Sequence, residues 1–348
     1  MAASKGTILV TGANGGLGSA IVRQIVSQPE LAAYHGIYTV RDGKSASGSL
    51  RSILAATGSS HPHDIFSLDL AKLESMRQTA QTINERVASG DIPPIRALIL
   101  NAGFQDFGKQ AWNDDGLDMT FSANYLGHWL LTLLLLKSMD KDSGRVVIIG
   151  SQAHDPYDVR NERTKAFVDE KYKNIVQDEP RFEAIAKGTW SSAKEDQSYR
   201  SGFRRYGAAK LYLVMMMYEL QRRMDRDPAL GNLSILGVDP GNMSTGLQRN
   251  APWIMKLLIF HIVFPIVAML MPNGPIRTTK TSASHVLQAA FDADPGPSGT
   301  LKNKYLDGTE PVKTSTESND PQKRDLVWKQ SVRYAHLAEG DTILADWQ

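Results

Sequence analysis

The chain has 348 residues, 42% of them hydrophobic and 22% charged, with 39 Lys/Arg against 37 Asp/Glu and no cysteine. At about 150 residues per domain this length suggests two domains, with a composition that builds a core and excludes a disordered or fibrous chain. A net charge of +2 excludes a chain built around nucleic acid. The missing thiols exclude thiolate catalysis, iron–sulfur clusters, Cys-ligated zinc and disulfides.

The opening Met1-Ala-Ala-Ser-Lys5 lacks the apolar core of a secretory signal, so a cytoplasmic location is expected. In chain order, 7–10 reads as a strand, and the run Thr11-Gly-Ala-Asn-Gly-Gly-Leu-Gly18 leads from it into a helix over 17–26. Further strands are expected at 37–40, 65–68, 95–100, 145–149 and 233–238, with a short one at 304–306. Helical patterns lie between them at 72–88, 117–139, 206–224 and 282–291. Such alternation predicts an α/β fold of Rossmann type: a doubly wound parallel sheet of about seven strands with helices on both faces. Two stretches interrupt the rhythm. Asp155 to Lys210 carries 12 Lys/Arg and 10 Asp/Glu, which reads as a solvated excursion, and 253–271 is almost wholly apolar.

In the glycine run, Gly12, Gly16 and Gly18 permit a tight turn and close approach of backbone to a ligand. The helix that follows presents free N–H groups and a positive dipole end to a pyrophosphate. A plain surface turn is the alternative, and the strand–loop–helix context argues against it. The spacing Thr-Gly-x-x-x-Gly-x-Gly resembles that of the short-chain dehydrogenase/reductase family. The resemblance implies that Thr11, Gly12, Asn14, Gly16, Leu17 and Gly18 hold a dinucleotide. Where the family carries an acid that selects NAD, this chain reads Val40-Arg41-Asp42. Arg41 there would bond a 2′-phosphate and stack on adenine, which favours NADP(H); Asp42 facing the ribose instead would reverse the preference. Asp69 matches the acid that bonds the adenine amino group. Asn101, Ala102 and Gly103 match the motif that steadies the sheet and lines the cofactor site.

Tyr206 and Lys210 stand four residues apart on a predicted helix, hence on one face. A free phenol titrates near about 10, and a fixed cation beside it favours phenolate. That makes Tyr206 a general acid for ketone reduction and a base for alcohol oxidation. A surface pair is the bland alternative, but Tyr-Gly-Ala-Ala-Lys-Leu-Tyr-Leu-Val resembles the family's active-site helix, where the lysine also holds the nicotinamide ribose. Ser151, ending Val-Val-Ile-Ile-Gly150-Ser151, offers a hydroxyl to a developing oxyanion. It matches the second serine of a family pair whose first is Gly150 here. The resemblance makes Asn124 the holder of a relay water, and sets Pro240, Gly241 and Thr245 at the nicotinamide.

The likeness spans about 7–247 and is closest in character to the retinol dehydrogenase-like branch, fungal members above all. One domain then covers 1–348, with an insertion at 152–203 beside the active site, an apolar substrate lid at 248–277 and an extension at 307–348. Trp190, Tyr199 and Phe203 are expected to line the insertion's side of the entrance. Three readings of 253–271 stay open. They are a lid or dimer packing in a homo-oligomer, a peripheral membrane contact, or a span, the last disfavoured by Lys256, His261 and Pro265. No metal site is expected: His61-Pro-His63 reads as a solvated loop, His128 and His154 as structural, and Met215 to Met217 as core. The implied activity is NADP(H)-dependent interconversion of a ketone or aldehyde and an alcohol on a small lipophilic molecule (polyketide-, terpenoid-, sterol- or retinoid-like). A cofactor-binding regulator or scaffold is the non-enzymatic alternative, and reduction of a C=C bond or a sterol ketone the enzymatic one.

Overall fold

The computed structural model describes residues 5–43, 48–56, 61–243, 274–291 and 302–348. Eight strands form one sheet: β1 Thr7–Val10, β2 His35–Val40, β3 His63–Ser67, β4 Ile95–Leu100, β5 Arg145–Ile149, β6 Ser234–Asp239, β7 Tyr305–Asp307 and β8 Glu310–Pro311. Their order is β3-β2-β1-β4-β5-β6-β7-β8. The first seven are parallel, and β8 returns antiparallel on β7 through a tight turn at Gly308, whose φ is +65°. The chain reverses direction across the sheet between β1 and β4, and at such a switch point the strand ends leave a crevice for a ligand.

Side chains alternate across each central strand, so each strand feeds two cores. Ala97, Ile99, Val147 and Ile149 join one apolar cluster with residues of the helices Gly16–Ser27, Gly48–Ala55 and Thr279–Phe291. Leu98, Leu100, Val146 and Ile148 join another with the helices Leu73–Ala88, Gly127–Leu135 and Tyr199–Met224. Continuous apolar runs, buried on both faces, are what a sheet sandwiched by helices requires.

Several elements depart from the sequence pattern for local reasons. The helix expected over 117–139 is segmented, with a π-helical turn at Ser122–Leu126 between Met119–Phe121 and Gly127–Leu135. Such turns cluster at functional sites, and this one contains Asn124. The helix expected from 206 starts at Tyr199, because the Ser198 hydroxyl accepts from the Arg200 amide and caps it there. His61 is buried, not solvated: it bonds the Tyr38 hydroxyl at 2.7 Å and the Ala32 carbonyl at 3.0 Å, closing the edge of the sheet.

The C-terminal segment, polar by composition, is part of the main core. Val327, Trp328, Leu337 and Leu344 are buried in it. Trp328 meets Trp129 edge-on at 5.2 Å, lies under the Arg223 guanidinium at 4.5 Å, and donates its indole N–H to the Trp347 carbonyl. Among the described residues one helical stretch, Met119–Ser138, is long and apolar enough to cross a membrane, and it is mostly buried inside the protein. The apolar stretch 253–271 lies outside the described residues.

Candidate active site

A cleft of about 530 Å³ opens at the C-terminal ends of β1, β2, β4, β5 and β6. One half is walled by backbone. Gly12, Asn14, Gly16, Leu17 and Gly18 line it, as does Gly15. Gly12 has φ +66°, and a Cβ there would lie 2.9 Å from Ala102 Cα. A Cβ on Gly18 would lie 2.2 Å from the Gly12 carbonyl oxygen and 2.9 Å from Asn101 Nδ2. Loop and helix therefore pack at a separation only glycine allows. The helix Gly16–Ser27 has no side-chain cap and no acid in its first turn, which leaves its N-terminal amides available to an anion.

Thr11, expected at the cofactor, sits behind the loop instead. Its Oγ1 accepts from the Asn101 and Ala102 amides, both at 2.9 Å, and meets His128 Nε2 at 3.0 Å. A buried hydroxyl at the end of β1 must find partners, and these pull it away from the cleft. Asn101 completes the join by donating its side-chain amide to the Thr11 carbonyl at 2.8 Å. His128 is wholly buried, and burial pushes its pKa down to about 3, so it serves this network as a neutral imidazole. Farther along the cleft, Thr39, Arg41, Leu68, Asp69 and Leu70 form the wall. Arg41 is exposed, and no described residue pairs with its guanidinium. Asp69 Oδ1 accepts from the Ala71 amide at 3.1 Å, which holds the carboxylate at the rim.

The other half is walled by side chains. Ser151, Tyr206 and Lys210 all line it, together with Ala102, Gly103, Pro240 and Gly241. The Ser151 hydroxyl lies near enough to the Tyr206 phenol to favour its ionised form, and it accepts from the Ala153 amide at 3.2 Å. Lys210 Nζ donates to the Ile149 carbonyl at 2.7 Å and lies 5.6 Å from the centre of the Tyr206 ring. Burial pushes the Tyr206 phenol up, against the smaller opposing effect of the Ser151 hydroxyl, and pushes Lys210 down to about 8. The lysine neighbour, expected from the spacing to lower the phenol, is not among the groups that shift it. In a low-dielectric pocket both charged forms are disfavoured.

Gly150 has a structural cause. A Cβ there would lie 2.1 Å from the Tyr305 hydroxyl, so the phenol on β7 occupies the space of the missing serine. Asn124 does not line the cleft. Its carboxamide accepts from the Phe104 amide at 2.9 Å and donates to the Phe104 carbonyl at 2.8 Å, clamping the segment after Gly103. Thr245 lies outside the described residues.

Part of residues 152–203 lines the same half of the cleft as Tyr206. Tyr199 and Phe203 line the cleft with Thr164 and Gln152. Trp190 does not: its ring packs edge-on against Tyr172 at 5.5 Å, because burying the indole among Ala166, Phe167 and Tyr172 gives the insertion a small core. Asp239, at the end of β6, is buried in the cleft wall, where its Oδ1 accepts from the Gly241 amide at 2.9 Å and its Oδ2 faces Arg160 at 3.6 Å. Arg160 also pairs with Asp158 at 2.6 Å and Asp307 at 2.9 Å, tying the insertion to the ends of β6 and β7. Asp239, Phe104, Gln105 and Phe107 are cleft residues missed by the sequence reading. Their place directly before Pro240-Gly241 and directly after Gly103 was the available signal.

A family model for short chain dehydrogenases matches residues 6–161. The chain is 43% identical to "Short-chain dehydrogenase iccH" of Talaromyces variabilis, with 99% of each protein covered. It is 28% identical to chloroplastic protochlorophyllide reductase B of Oryza sativa subsp. japonica, over 97% of this chain and 79% of that one. Among solved structures it is similar in fold to the angucycline C-6 ketoreductase LanV with bound NADP, with TM-score 0.55 at 12% identity over 88% of this chain and 95% of the other.

Proposed function

The chain belongs to the short-chain dehydrogenase family, and from that premise we propose that this oxidoreductase is an NADP(H)-dependent carbonyl reductase acting on a lipophilic ketone or aldehyde. The observation that carries the proposal is the convergence of Ser151, Tyr206 and Lys210 on the same cleft that the glycine loop lines. The residues present fit a dinucleotide phosphate: a glycine loop packed on its helix and on Ala102 and Asn101 more closely than any Cβ at Gly12 or Gly18 would allow, an uncapped helix N-terminus, and a guanidinium at the rim that pairs with no described residue. Arg41 lines the cleft and Asp42 is not among its lining residues, which supports a 2′-phosphate over a bare ribose.

When bound, NADPH supplies the hydride for the carbonyl carbon. Ser151 would donate to the substrate oxygen and hold it beside Tyr206. Burial keeps the Tyr206 phenol protonated at neutral pH, the state a general acid needs to protonate the forming alkoxide. Lys210 would hold the nicotinamide ribose, with its position fixed by the Ile149 carbonyl. Aromatic and aliphatic walls at Phe104, Phe107, Phe203 and Met243 favour an apolar substrate.

The test is consumption of NADPH and NADH against a panel of lipophilic ketones and aldehydes, followed by absorbance. Oxidation of NADPH in preference to NADH with at least one carbonyl compound is expected. Silence across the panel with both cofactors would overturn the reductase assignment, and a preference for NADH would overturn its cofactor.

A further inference from the structure

The segment that follows Gly103 is constructed in a way the reaction chemistry alone does not require. Phe107 has φ +53°, a left-handed conformation that a bulky side chain rarely adopts. Such strain persists only where surrounding structure enforces it, and it gathers at ligand sites. Here the enforcing residue is Asp106. Its Oδ2 pairs with Arg205 at 2.6 Å, both side chains being 3% exposed, and its Oδ1 accepts from the Gly108 amide at 2.8 Å. Two glycines make the docking close: a Cβ on Gly202 would lie 2.0 Å from Asp106 Oδ1, and one on Gly108 would lie 2.9 Å from the Ser198 carbonyl. Arg205 immediately precedes Tyr206 on the helix Tyr199–Met224. The segment is thus riveted to the helix that carries the proton donor.

With Asp106 turned inward, its neighbours Gln105 and Phe107 line the cleft, across which stand Tyr199 and Phe203. Tyr199 is held by donating its hydroxyl to the Thr164 carbonyl at 2.8 Å, and Phe203 meets Phe167 at 6.0 Å. Gln105 is only 7% exposed, yet its carboxamide makes no hydrogen bond to any described residue. An amide in a cleft wall with no described protein partner is available to a polar group of a ligand. Gln105 is one of the residues that line the cleft.

We propose that Gln105 selects the substrate by hydrogen-bonding a second oxygen, a hydroxyl or carbonyl remote from the reacting carbonyl, on a planar ring system held by Phe107, Tyr199 and Phe203. Aromatic walls hold flat, conjugated rings through their faces and edges, and a site built to pair one oxygen discriminates against the analogue that lacks it. The substrate class is therefore an oxygenated aryl or polycyclic ketone rather than an aliphatic one. This inference rests on the reductase assignment above.

The test compares kcat/KM with NADPH for tetralone and for its ring-hydroxylated counterparts, in wild type and in Gln105→Leu. Wild type should favour at least one hydroxylated isomer by about tenfold or more. In Gln105→Leu that ratio should fall to near one, whatever the absolute rates, while fluorescence titration shows NADPH still bound. Gln105→Glu, which keeps an acceptor and loses the donor, should retain preference for a hydroxyl. A wild type without preference among the tetralones, or a Gln105→Leu that keeps it, overturns the proposal. Turnover of aliphatic ketones beside inert tetralones also overturns it and spares the reductase assignment. Inertness toward every carbonyl compound sinks both.

Discussion

The two halves of the cleft are built on opposite principles. On the proposed dinucleotide side the walls are made by backbone and by the absence of side chains: Gly12 bends at φ +66°, and a methyl on Gly18 would overlap the Gly12 carbonyl oxygen. On the substrate side they are made by large groups, with Tyr206, Phe107, Tyr199 and Phe203 placed by buried ion pairs and caps. A phosphate is alike in every cofactor and suits a generic cradle of amides. A substrate is particular, and recognising it takes particular side chains on a rigid scaffold.

Substitutions separate the two halves. The largest effect should come from outside both: Trp328→Ala removes an indole buried against Trp129 and Arg223 and should destabilise the fold by about 3–5 kcal/mol in urea titrations, without altering the NADPH-to-NADH preference. A changed preference would mean that the C-terminal segment reaches the cofactor half. Gly18→Ala forces a Cβ to 2.2 Å from the Gly12 carbonyl oxygen and should destabilise by about 1–3 kcal/mol and weaken NADPH binding at least as much. Arg41→Ala should raise the KM for NADPH by about tenfold and leave NADH nearly untouched, since a charge-assisted contact to phosphate is worth about 1.5–3 kcal/mol. Equal effects on both cofactors would remove the basis for the NADP(H) preference.

The smallest effect is a pH limb belonging to the side-chain half. Lys210 has a folded pKa of about 8 against an ordinary 10.5, so the unfolded chain binds more protons between those values. Stability should accordingly rise with pH across that window, the burial penalty on the ammonium being fully present below it. Activity moves the other way. The kcat/KM for ketone reduction should fall above about pH 8 as Lys210 loses its proton while Tyr206 keeps its own. A limb unchanged in Lys210→Arg would assign it to another group.

The same contrast explains what was legible in the sequence. The glycine spacing and the Tyr206–Lys210 interval are local demands, set by one turn and one helix face, and both stand where the pattern put them. The strands were likewise legible, because a sheet covered on both faces writes a continuous apolar run into each central strand. Long-range packing was not. Trp190 faces its own small core rather than the cleft because Tyr172 and Phe167 are there to receive it. Gly150 answers to Tyr305 on a distant strand, and Thr11 turned from the cleft toward His128 and the Asn101 amide. Phe107 carries no glycine to announce its left-handed backbone; only the buried Asp106–Arg205 pair explains it. The polar C-terminal segment hid a core tryptophan because one apolar face of a short helix is enough to bury it.

The most direct measurement of the central claim is Tyr206→Phe assayed in parallel for NADPH binding by fluorescence and for carbonyl reduction. With the hydroxyl gone and the cradle intact, reduction should fall by about a thousandfold or more while the NADPH dissociation constant changes by less than about threefold. A variant that still turns over at near the wild-type rate would contradict the assignment of Tyr206 as the proton donor, and with it the account of the side-chain half.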